Sequence, residues 1–291
     1  MGTTVDATAA AAGELAEQAA RRCRLTVELI HEPADAGEAA QLLQQIWRTP
    51  HGAPIAPELF VSLEHTGNYA ALARQDGRVV AASAAFRAGD GSPHLHSHIT
   101  GVAASHRGRS VGYAMKLHQR AWAVDHGYEV ISWTFDPMQS RNAYFNVVKL
   151  GARFDRYLPD FYGPMGDAIN EGGLSDRGLM KWGLSTPAAA HTSAAPDTSG
   201  PMPVVLPLLA VEDGRAELHV PALDAPLVSI TVPTDVGSLR RSDPDLALRW
   251  HHGVRDAFLA ALGQGYEVFT FDPHHHAYIL RRPDAHAPAP S

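Results

Sequence analysis

The run from Val102 to Gly112, with the sequence VAASHRGRSVG, could bind a phosphate group. Its glycines and small side chains would let several backbone N–H groups converge, and a following helix would add partial positive charge at its N-terminus. Arg107 and Arg109 could contribute charge-assisted hydrogen bonds. The pattern therefore indicates a pyrophosphate pocket, although any turn from a strand into a helix also favours glycine.

Two other nucleotide-binding loops do not fit this run. A Walker loop ends in lysine followed by serine or threonine, and that ending is absent. A dinucleotide-binding fold places an acidic residue about 20 positions later, at the end of a second strand, and none stands there. Neither a P-loop nor a dinucleotide fold is therefore predicted.

Three histidines, His94, His96 and His98, alternate along a predicted strand, so their side chains should face the same side of the sheet. Histidine titrates near neutral pH and suits a general base or a proton relay. A purely structural, hydrogen-bonded role is one alternative. A metal site that also uses His251–His252 or His274–His276 is another. Because no carboxylate or cysteine stands at a supporting spacing, we predict no metal site.

The composition restricts the classes of partner and compartment. A formal net charge of -7 leaves no broad cationic surface for nucleic acid. The apolar stretches are shorter than a membrane span, and Met1–Glu17 lacks the basic flank of a signal peptide. Cys23 is the only cysteine, so an intrachain disulfide cannot form, which suits a reducing compartment. We therefore predict a cytoplasmic protein with neither nucleic-acid nor membrane partners.

An alternating series of predicted strands and helices surrounds these candidates. Strands are predicted at 25–31, 69–74, 78–87, 94–104, 130–135 and 152–158, and helices at 35–48, 109–126 and 140–150. The dipeptide Asp76-Gly77 is typical of a tight hairpin, so the strands that flank it should pair antiparallel. The order predicts a mixed α/β fold with an antiparallel start and one strand–helix–strand unit.

Four segments are predicted along the chain. Residues 1–23 are rich in alanine and form a flexible N-terminal segment or a frayed helix, and residues 24–186 form the main domain. Residues 187–203, rich in Ala, Ser, Thr and Pro, form a linker, and residues 204–291 form a smaller α/β extension. Ala257–Pro273 resembles Ala121–Pro137, so the extension is interpreted as a partial second copy. The alternative to a duplication is that the same order of helix, glycine and strand arose independently in the two stretches.

The sequence resembles the GNAT superfamily of acyl-CoA N-acyltransferases over about residues 25–185. The signature loop of that family has Arg or Gln, two residues, Gly, one residue, and Gly or Ala. Arg107, Ser110 and Gly112 occupy these positions, with Ser110 in place of the first glycine. Lys149-Leu-Gly-Ala152 is similar to the closing stretch of the family. The closest similarity is to a bacterial group with an LHSH strand, a WT(F/Y)DPxQSRN stretch and a C-terminal extension, all present here.

The resemblance implies an α/β (α+β) fold of GNAT type, with a mixed, mostly antiparallel sheet flanked by helices, for residues 24–186. It also implies acyl-CoA as cosubstrate, either acetyl-CoA or succinyl-CoA, lying between strands that splay around Val102 and Val130. The implied CoA-binding residues are Val102, Ala104, Arg107, Gly108, Arg109, Ser110, Val111, Gly112 and Asn142. The backbone of the first two would pair with pantetheine, residues 107–112 would hold the pyrophosphate, and Asn142 would bind the pantetheine or phosphate arm.

The same resemblance implies that His96 and His98 act as base or water-linked relay, because arylalkylamine N-acetyltransferases carry a paired His-x-His at this place. The frequent general acid of the family is a tyrosine, and Val147 occupies its position here. Tyr144, one helical turn earlier, another group, or water would then protonate the CoA thiolate. Because Cys23 precedes the core and no Ser–His elbow is present, direct transfer in a ternary complex is preferred over an acyl-enzyme.

The predicted function is therefore N-acylation of a small-molecule amine or an amino acid, with a homodimer left open. One alternative is a catalytically silent acyl-CoA-binding or regulatory module whose extension contacts a partner. Another is a metal-dependent hydrolase that uses the histidine strand.

Overall fold

A computed structural model describes residues 2–49, 52–89, 91–163, 174–185, 205–212, 215–218, 223 and 225–283. The predicted linker, residues 187–203, lies outside the described residues. The described chain divides into two compact units. One contains residues 2–133 and 182–185, and the other contains residues 134–163, 174–181 and those from 205 onward.

The first unit is a β-sheet with helices packed against it. Its elements are α1 (Gly2–Arg22), β1 (Thr26–Leu29), α2 (Pro33–Trp47), α3 (Pro57–His65), β2 (Tyr69–Gln75), β3 (Arg78–Arg87), β4 (His94–Val102), α4 (Val111–Asp125) and most of β5 (Val130–Phe135). The strand order is β1-β2-β3-β4-β5; the first four strands pair antiparallel, and β5 pairs parallel to β4. The predicted α/β fold, with a mostly antiparallel sheet flanked by helices, is confirmed.

The residues of the turn between β2 and β3 explain why these two strands pair antiparallel. Asp76 and Gly77 have φ angles of 49° and 75°, both in the left-handed region. A two-residue turn of that kind matches the natural twist of an antiparallel pair. The predicted antiparallel pairing is confirmed, with Gln75 opposite Arg78.

The two faces of β3 contact different helices. Ala82 and Ala84 belong to a buried cluster with Leu43 of α2 and Phe60 of α3. Ser83, which lies between them, points the other way and is hydrogen-bonded by the Gln119 side chain of α4 at 3.4 Å. Helix α1 contacts α4 in turn. The first unit therefore has one sheet between two helical layers.

The second unit combines residues from both sides of the predicted linker. Its elements are the end of β5, α5 (Ser140–Tyr144), a π-helical turn (Phe145–Lys149), β6 (Arg153–Leu158), most of β7 (Arg177–Gly183), β8 (Leu206–Glu212), β9 (Arg215–Leu218), β10 (Leu227–Thr231), α6 (Val236–Ser242), α7 (Pro244–Gly263), β11 (Glu267–Asp272) and β12 (Ala277–Arg281). Strands β6 and β7 pair antiparallel, and a second sheet has the order β11-β12-β10-β8-β9.

An aromatic cluster joins the parts of this unit. The ring of Phe154 in β6 stacks on that of Phe258 in α7, with centroids 5.0 Å apart, and Tyr278 in β12 meets Phe258 edge-on at 5.0 Å. All three side chains are buried. Residues before the predicted linker and residues of the extension therefore share one hydrophobic core.

The two stretches that resemble each other in sequence, Ala121–Pro137 and Ala257–Pro273, share one type of helix end. Helices α4 and α7 both end at a glycine with positive φ, 74° at Gly127 and 80° at Gly265. In each, the next residue, Tyr128 or Tyr266, donates its N–H to a helix carbonyl, at 2.9 and 3.1 Å. This is the Schellman type of helix end. The following strands pair differently, since β5 is parallel to β4 and β11 is antiparallel to β12.

Candidate active site

Strands β4 and β5 pair over a short stretch. His94, Leu95 and His96 lie opposite Val130, Ile131 and Ser132, and no further β4–β5 pair follows among the described residues. Strand β4 continues to pair with β3 as far as Val102. Because the two parallel strands are aligned at their starts, Val130 lies at the closed end. The opening expected around Val102 and Val130 therefore follows Ser132 on β5 instead.

A β-bulge interrupts β4 at His98. Ser97 pairs with Ala85 and Ile99 pairs with Ala84, so His98 has no partner on β3. Bulges of this kind re-aim side chains and are frequent beside active sites. Here the bulge leaves His98 on the same side as His96.

The three histidines face one side, as the alternation predicts. The Phe86 ring lies 5.3 Å from the centroid of His96 and 5.7 Å from that of His98. The buried hydroxyl of Ser132 hydrogen-bonds His94 Nε2 at 2.7 Å and His96 Nδ1 at 3.1 Å. A serine bridge of this kind orients the His96 ring, and in the tautomer that donates Nδ1–H to Ser132 Oγ, Nε2 is the nitrogen that can take a proton.

The surroundings of these histidines favour their neutral form. Desolvation by burial lowers the pKa of His96 to about 4, and the charges of His98, His94 and Lys116 act in the same direction. Desolvation also lowers the pKa of His98. Both imidazoles are therefore available as proton acceptors at neutral pH, although a low pKa weakens the driving force for taking a proton.

The loop after β4 leaves donors open at the start of α4. A 3-10 turn covers Ala104–His106, and residues 107–110 are exposed, with left-handed backbone at Gly108 (φ 79°) and Ser110 (φ 62°). The N–H of Ala114 donates to Ser110 O at 3.0 Å. The N–H groups of residues 111–113 precede that bond and lie at the positive end of the helix. The loop therefore fits an anionic group such as a diphosphate.

The two loop arginines are exposed and lightly held. Arg107 Nε donates to Val102 O at a long 3.4 Å, and the Arg109 carbonyl accepts from Cys23 Sγ at 3.4 Å. The contact with Cys23 involves only the backbone of Arg109 and does not hold its guanidinium. Both arginines could turn toward an anion at low cost.

A glutamine that the sequence analysis did not single out braces this loop. Gln75 Nε2 donates to Cys23 O at 2.9 Å, and its Oε1 lies 2.8 Å from His106 Nε2. His106 Nδ1 in turn meets Ser105 Oγ at 2.9 Å. No local pattern signals these contacts, because they join positions 31 and 52 residues apart.

A buried polar network on α4 was also missed. Lys116 Nζ donates to Ser97 Oγ at 2.8 Å and to Gln119 Oε1 at 3.3 Å, and it lies 4.2 Å from the centroid of the Trp133 ring. Desolvation by burial lowers the pKa of Lys116 to about 7. The helical spacing of α4 predicted an apolar inner face. Hydrophobic periodicity cannot show that a lysine such as Lys116 is buried on that face.

Asn142 and Tyr144 lie on α5, in the second unit, whereas the loop and the histidines lie in the first. Asn142 is exposed and Tyr144 is half-buried, with Lys149 Nζ 5.8 Å from the centroid of its ring. Val147, at the position of the family's tyrosine, is buried in the π-helical turn.

The other histidines that were weighed as metal ligands lie in the second unit. His251 and His252 lie on α7, and His274–His276 lie in the turn between β11 and β12. Among the residues that the structure describes, no group of three or more His, Cys, Asp or Glu side chains could hold a metal ion. No helix in the described part of the chain has the length and apolarity of a membrane span.

Comparison with known proteins identifies one matching family. Residues 37–146 match the sequence model of the acetyltransferase (GNAT) family. That region contains β4, the histidines, the loop and α4. No curated protein matches the chain. The family match supports the predicted acyltransferase.

Several solved acetyltransferases resemble about half of the chain. The ribosomal-protein-S18-alanine N-acetyltransferase from Escherichia coli is 15% identical, with a TM-score of 0.46, over 56% of this chain and 95% of that chain. An N-acetyltransferase from Staphylococcus aureus Mu50 is 13% identical, with a TM-score of 0.46, over 55% and 98%. A phosphinothricin acetyltransferase from Sinorhizobium meliloti, in complex with acetyl-CoA, is 14% identical, with a TM-score of 0.45, over 55% and 89%.

Proposed function

We propose that this chain is an acyl-CoA-dependent N-acyltransferase that transfers an acetyl or succinyl group directly to a small amine or an amino acid in a ternary complex. The observation that carries the proposal is the exposed loop at residues 107–110, which leads into the open N-terminus of α4 within the region that matches the GNAT family. A cytoplasmic location, in keeping with the single cysteine, is part of the proposal.

In this proposal the loop holds the CoA diphosphate. Backbone N–H groups of residues 108–112 and the side chains of Arg107 and Arg109 supply the donors. The backbone of Val102 and Ala104 pairs with the pantetheine amides. Arg107 must release the Val102 carbonyl for both contacts to form, and the 3.4 Å length of that hydrogen bond makes the release inexpensive.

The acyl transfer needs an unprotonated amine, which attacks the thioester carbon and expels the CoA thiolate. His96 is the proposed proton acceptor, alone or through a water shared with His98, and Ser132 holds its ring. Its lowered pKa keeps it unprotonated at neutral pH. An alkylammonium ion has a pKa near ~10, so a relay to solvent must complete the proton transfer. Tyr144 or water returns a proton to the thiolate.

The rival proposal is a catalytically silent acyl-CoA-binding module. It is favoured by Val147, a buried aliphatic side chain where the family has its usual proton donor. Both proposals require the loop to bind CoA, so donor binding and acyl transfer must be measured separately.

Donor binding is tested by titration calorimetry with acetyl-CoA and succinyl-CoA. Arg109→Gln should weaken binding by roughly 10- to 100-fold, since a charge-assisted hydrogen bond is worth about 1.5–3 kcal/mol when formed. Arg78→Gln, an exposed arginine on the β2–β3 hairpin, is the matched control and should change nothing. Absence of binding by the wild-type protein would remove the proposal and its rival together.

Acyl transfer is tested by thiol release with a panel of amines at saturating donor. His96→Gln should lower kcat by about 10²-fold, the lower end of what a positioned base contributes. His94→Gln also removes a Ser132 contact, and as a control it should cost much less. If the wild-type protein binds the donor but releases no thiol with any amine, the binding module replaces the enzyme.

A further inference from the structure

The five residues Asp136–Ser140, here called the entry segment, lead into α5, whose first residue is Ser140, and are contacted by the extension. Asp136 Oδ1 accepts a hydrogen bond from Met138 N–H at 2.9 Å, and Oδ2 accepts from Arg240 Nη2 at 2.9 Å. The side chains of Asp136 and Arg240 are only 12% and 10% exposed. A nearly buried ion pair of this kind is costly to break from one side, because it leaves an uncompensated charge.

Two further bonds from the extension reach the same segment. The buried hydroxyl of Tyr278 in β12 donates to Pro137 O at 2.8 Å. Ser140 Oγ, at the start of α5, lies 2.8 Å from His276 Nδ1. The carbonyl of His276 is held by Val232 N–H at 2.8 Å, so the turn that carries this imidazole is itself fixed.

Helix α5 has little means of fixing itself. It spans Ser140–Tyr144 and continues directly into the π-helical turn Phe145–Lys149, and its N-cap, Gln139, makes no side-chain capping bond. A helical segment this short is marginal on its own propensity and depends on tertiary contacts. Three hydrogen bonds to the entry segment, from Arg240 in α6, His276 in the β11–β12 turn and Tyr278 in β12, are therefore the contacts that can hold α5 in place.

We infer that Arg240, His276 and Tyr278 are positioning residues for acyl transfer, through which the extension sets α5 and the two residues on it, Asn142 and Tyr144. The inference rests on the proposed function, in which Tyr144 or water protonates the thiolate, and on the contact of Asn142 with the CoA arm that the family resemblance implies. It gives the extension a role inside the enzyme, as support for the entry segment.

The test compares Arg240→Gln and Tyr278→Phe with the wild-type chain. Tyr278→Phe removes only the hydroxyl and keeps the ring in the core, so it covers the case in which Arg240→Gln does not fold. Amide hydrogen exchange of residues 136–144 should quicken in both variants. The Kd for acetyl-CoA and the KM for acetyl-CoA should rise by about 5- to 10-fold, with a smaller change in kcat, as expected when a donor contact is misplaced.

Arg255→Gln is the matched control. Arg255 also lies on the extension and forms a largely buried ion pair, with Asp176, but it does not contact the entry segment. Its loss should lower Tm without changing the Kd for acetyl-CoA.

The outcomes separate two failures. Wild-type protein that binds no acetyl-CoA would overturn the proposed function. Wild-type binding that both entry-segment variants leave unchanged, or that Arg255→Gln weakens equally, would overturn the positioning role alone.

Discussion

Lys116 is a basic side chain in the interior of the first unit, with Ser97 and Gln119 as hydrogen-bond partners and no carboxylate within ion-pair distance among the described residues. Transfer of an ammonium ion into such a place is unfavourable, so burial lowers the pKa of Lys116 from 10.5 to about 7. The residue therefore links the stability of this unit to pH.

The sign of that linkage gives a prediction. Between pH 7 and 10.5 the unfolded chain holds the lysine proton more tightly than the folded chain, so the free energy of unfolding should rise with pH. The rise attributable to Lys116 should approach, and not exceed, about 1.4 kcal/mol per pH unit. Urea unfolding of the wild type and of Lys116→Met at pH 7, 8 and 9 measures it as the difference between two slopes.

Ser97→Ala separates the charge from its hydrogen bond. This variant keeps the lysine and removes only the hydroxyl that accepts from it, so the pH dependence should persist while overall stability falls by about 1 kcal/mol. Equal slopes for the wild type and Lys116→Met would contradict the linkage.

At the scale of elements, the loop before α4 combines two left-handed positions. Gly108 adopts φ 79° at no steric cost, whereas Ser110, at φ 62°, has a side chain that makes no capping bond. A non-glycine residue in that region costs roughly 1 kcal/mol. The departure of Ser110 from the family's glycine is therefore a local strain at the proposed diphosphate site.

Exchanging these two residue types should move stability in opposite directions. Ser110→Gly should raise the free energy of unfolding by up to about 1 kcal/mol, and Gly108→Ala should lower it by about the same amount. Acetyl-CoA binding should survive Ser110→Gly, because the backbone N–H groups keep their places. Denaturant unfolding and calorimetry decide both points, and a destabilised Ser110→Gly would show that the serine hydroxyl makes a contact of value.

Local chemistry made some elements predictable and left others hidden. Asp76-Gly77 predicted a hairpin and Gly127 predicted a helix end, because these residues favour the positive φ angles that both structures require. The bulge at His98 and the π-helical turn at Phe145–Lys149 depend on neighbouring strands and packing, which no short window contains. Ser132, which orients His96, was hidden for the same reason.

At the scale of the molecule, the extension joins its unit through polar and apolar contacts that the sequence could not show. Asp176 is buried and accepts hydrogen bonds from Tyr157 OH at 2.7 Å and Arg255 Nε at 2.8 Å, with His251 Nε2 at 3.0 Å. Burial alone would raise the pKa of Asp176, but these partners outweigh it and hold the pKa well below its usual range. A composition shift near residue 190 predicts where a linker runs, and it gives no information on what packs across it.

Phe258 tests whether the extension and the residues before the linker form one cooperative body. Its ring is fully buried against Phe154, Tyr157 and Tyr278, with centroids 5.0, 5.2 and 5.0 Å away. Phe258→Ala should lower the free energy of unfolding by about 3–5 kcal/mol.

The exposed Phe161 of the same unit supplies the control for that substitution. Its side chain is 48% exposed, so Phe161→Ala should change stability by less than about 0.5 kcal/mol. Because Phe258 contacts both β6 and β12, hydrogen exchange should quicken in residues 153–158 and 277–281 together. Faster exchange in β12 alone would mean that β6 is stable without the extension, and the shared core would then be a contact between two independently folded parts.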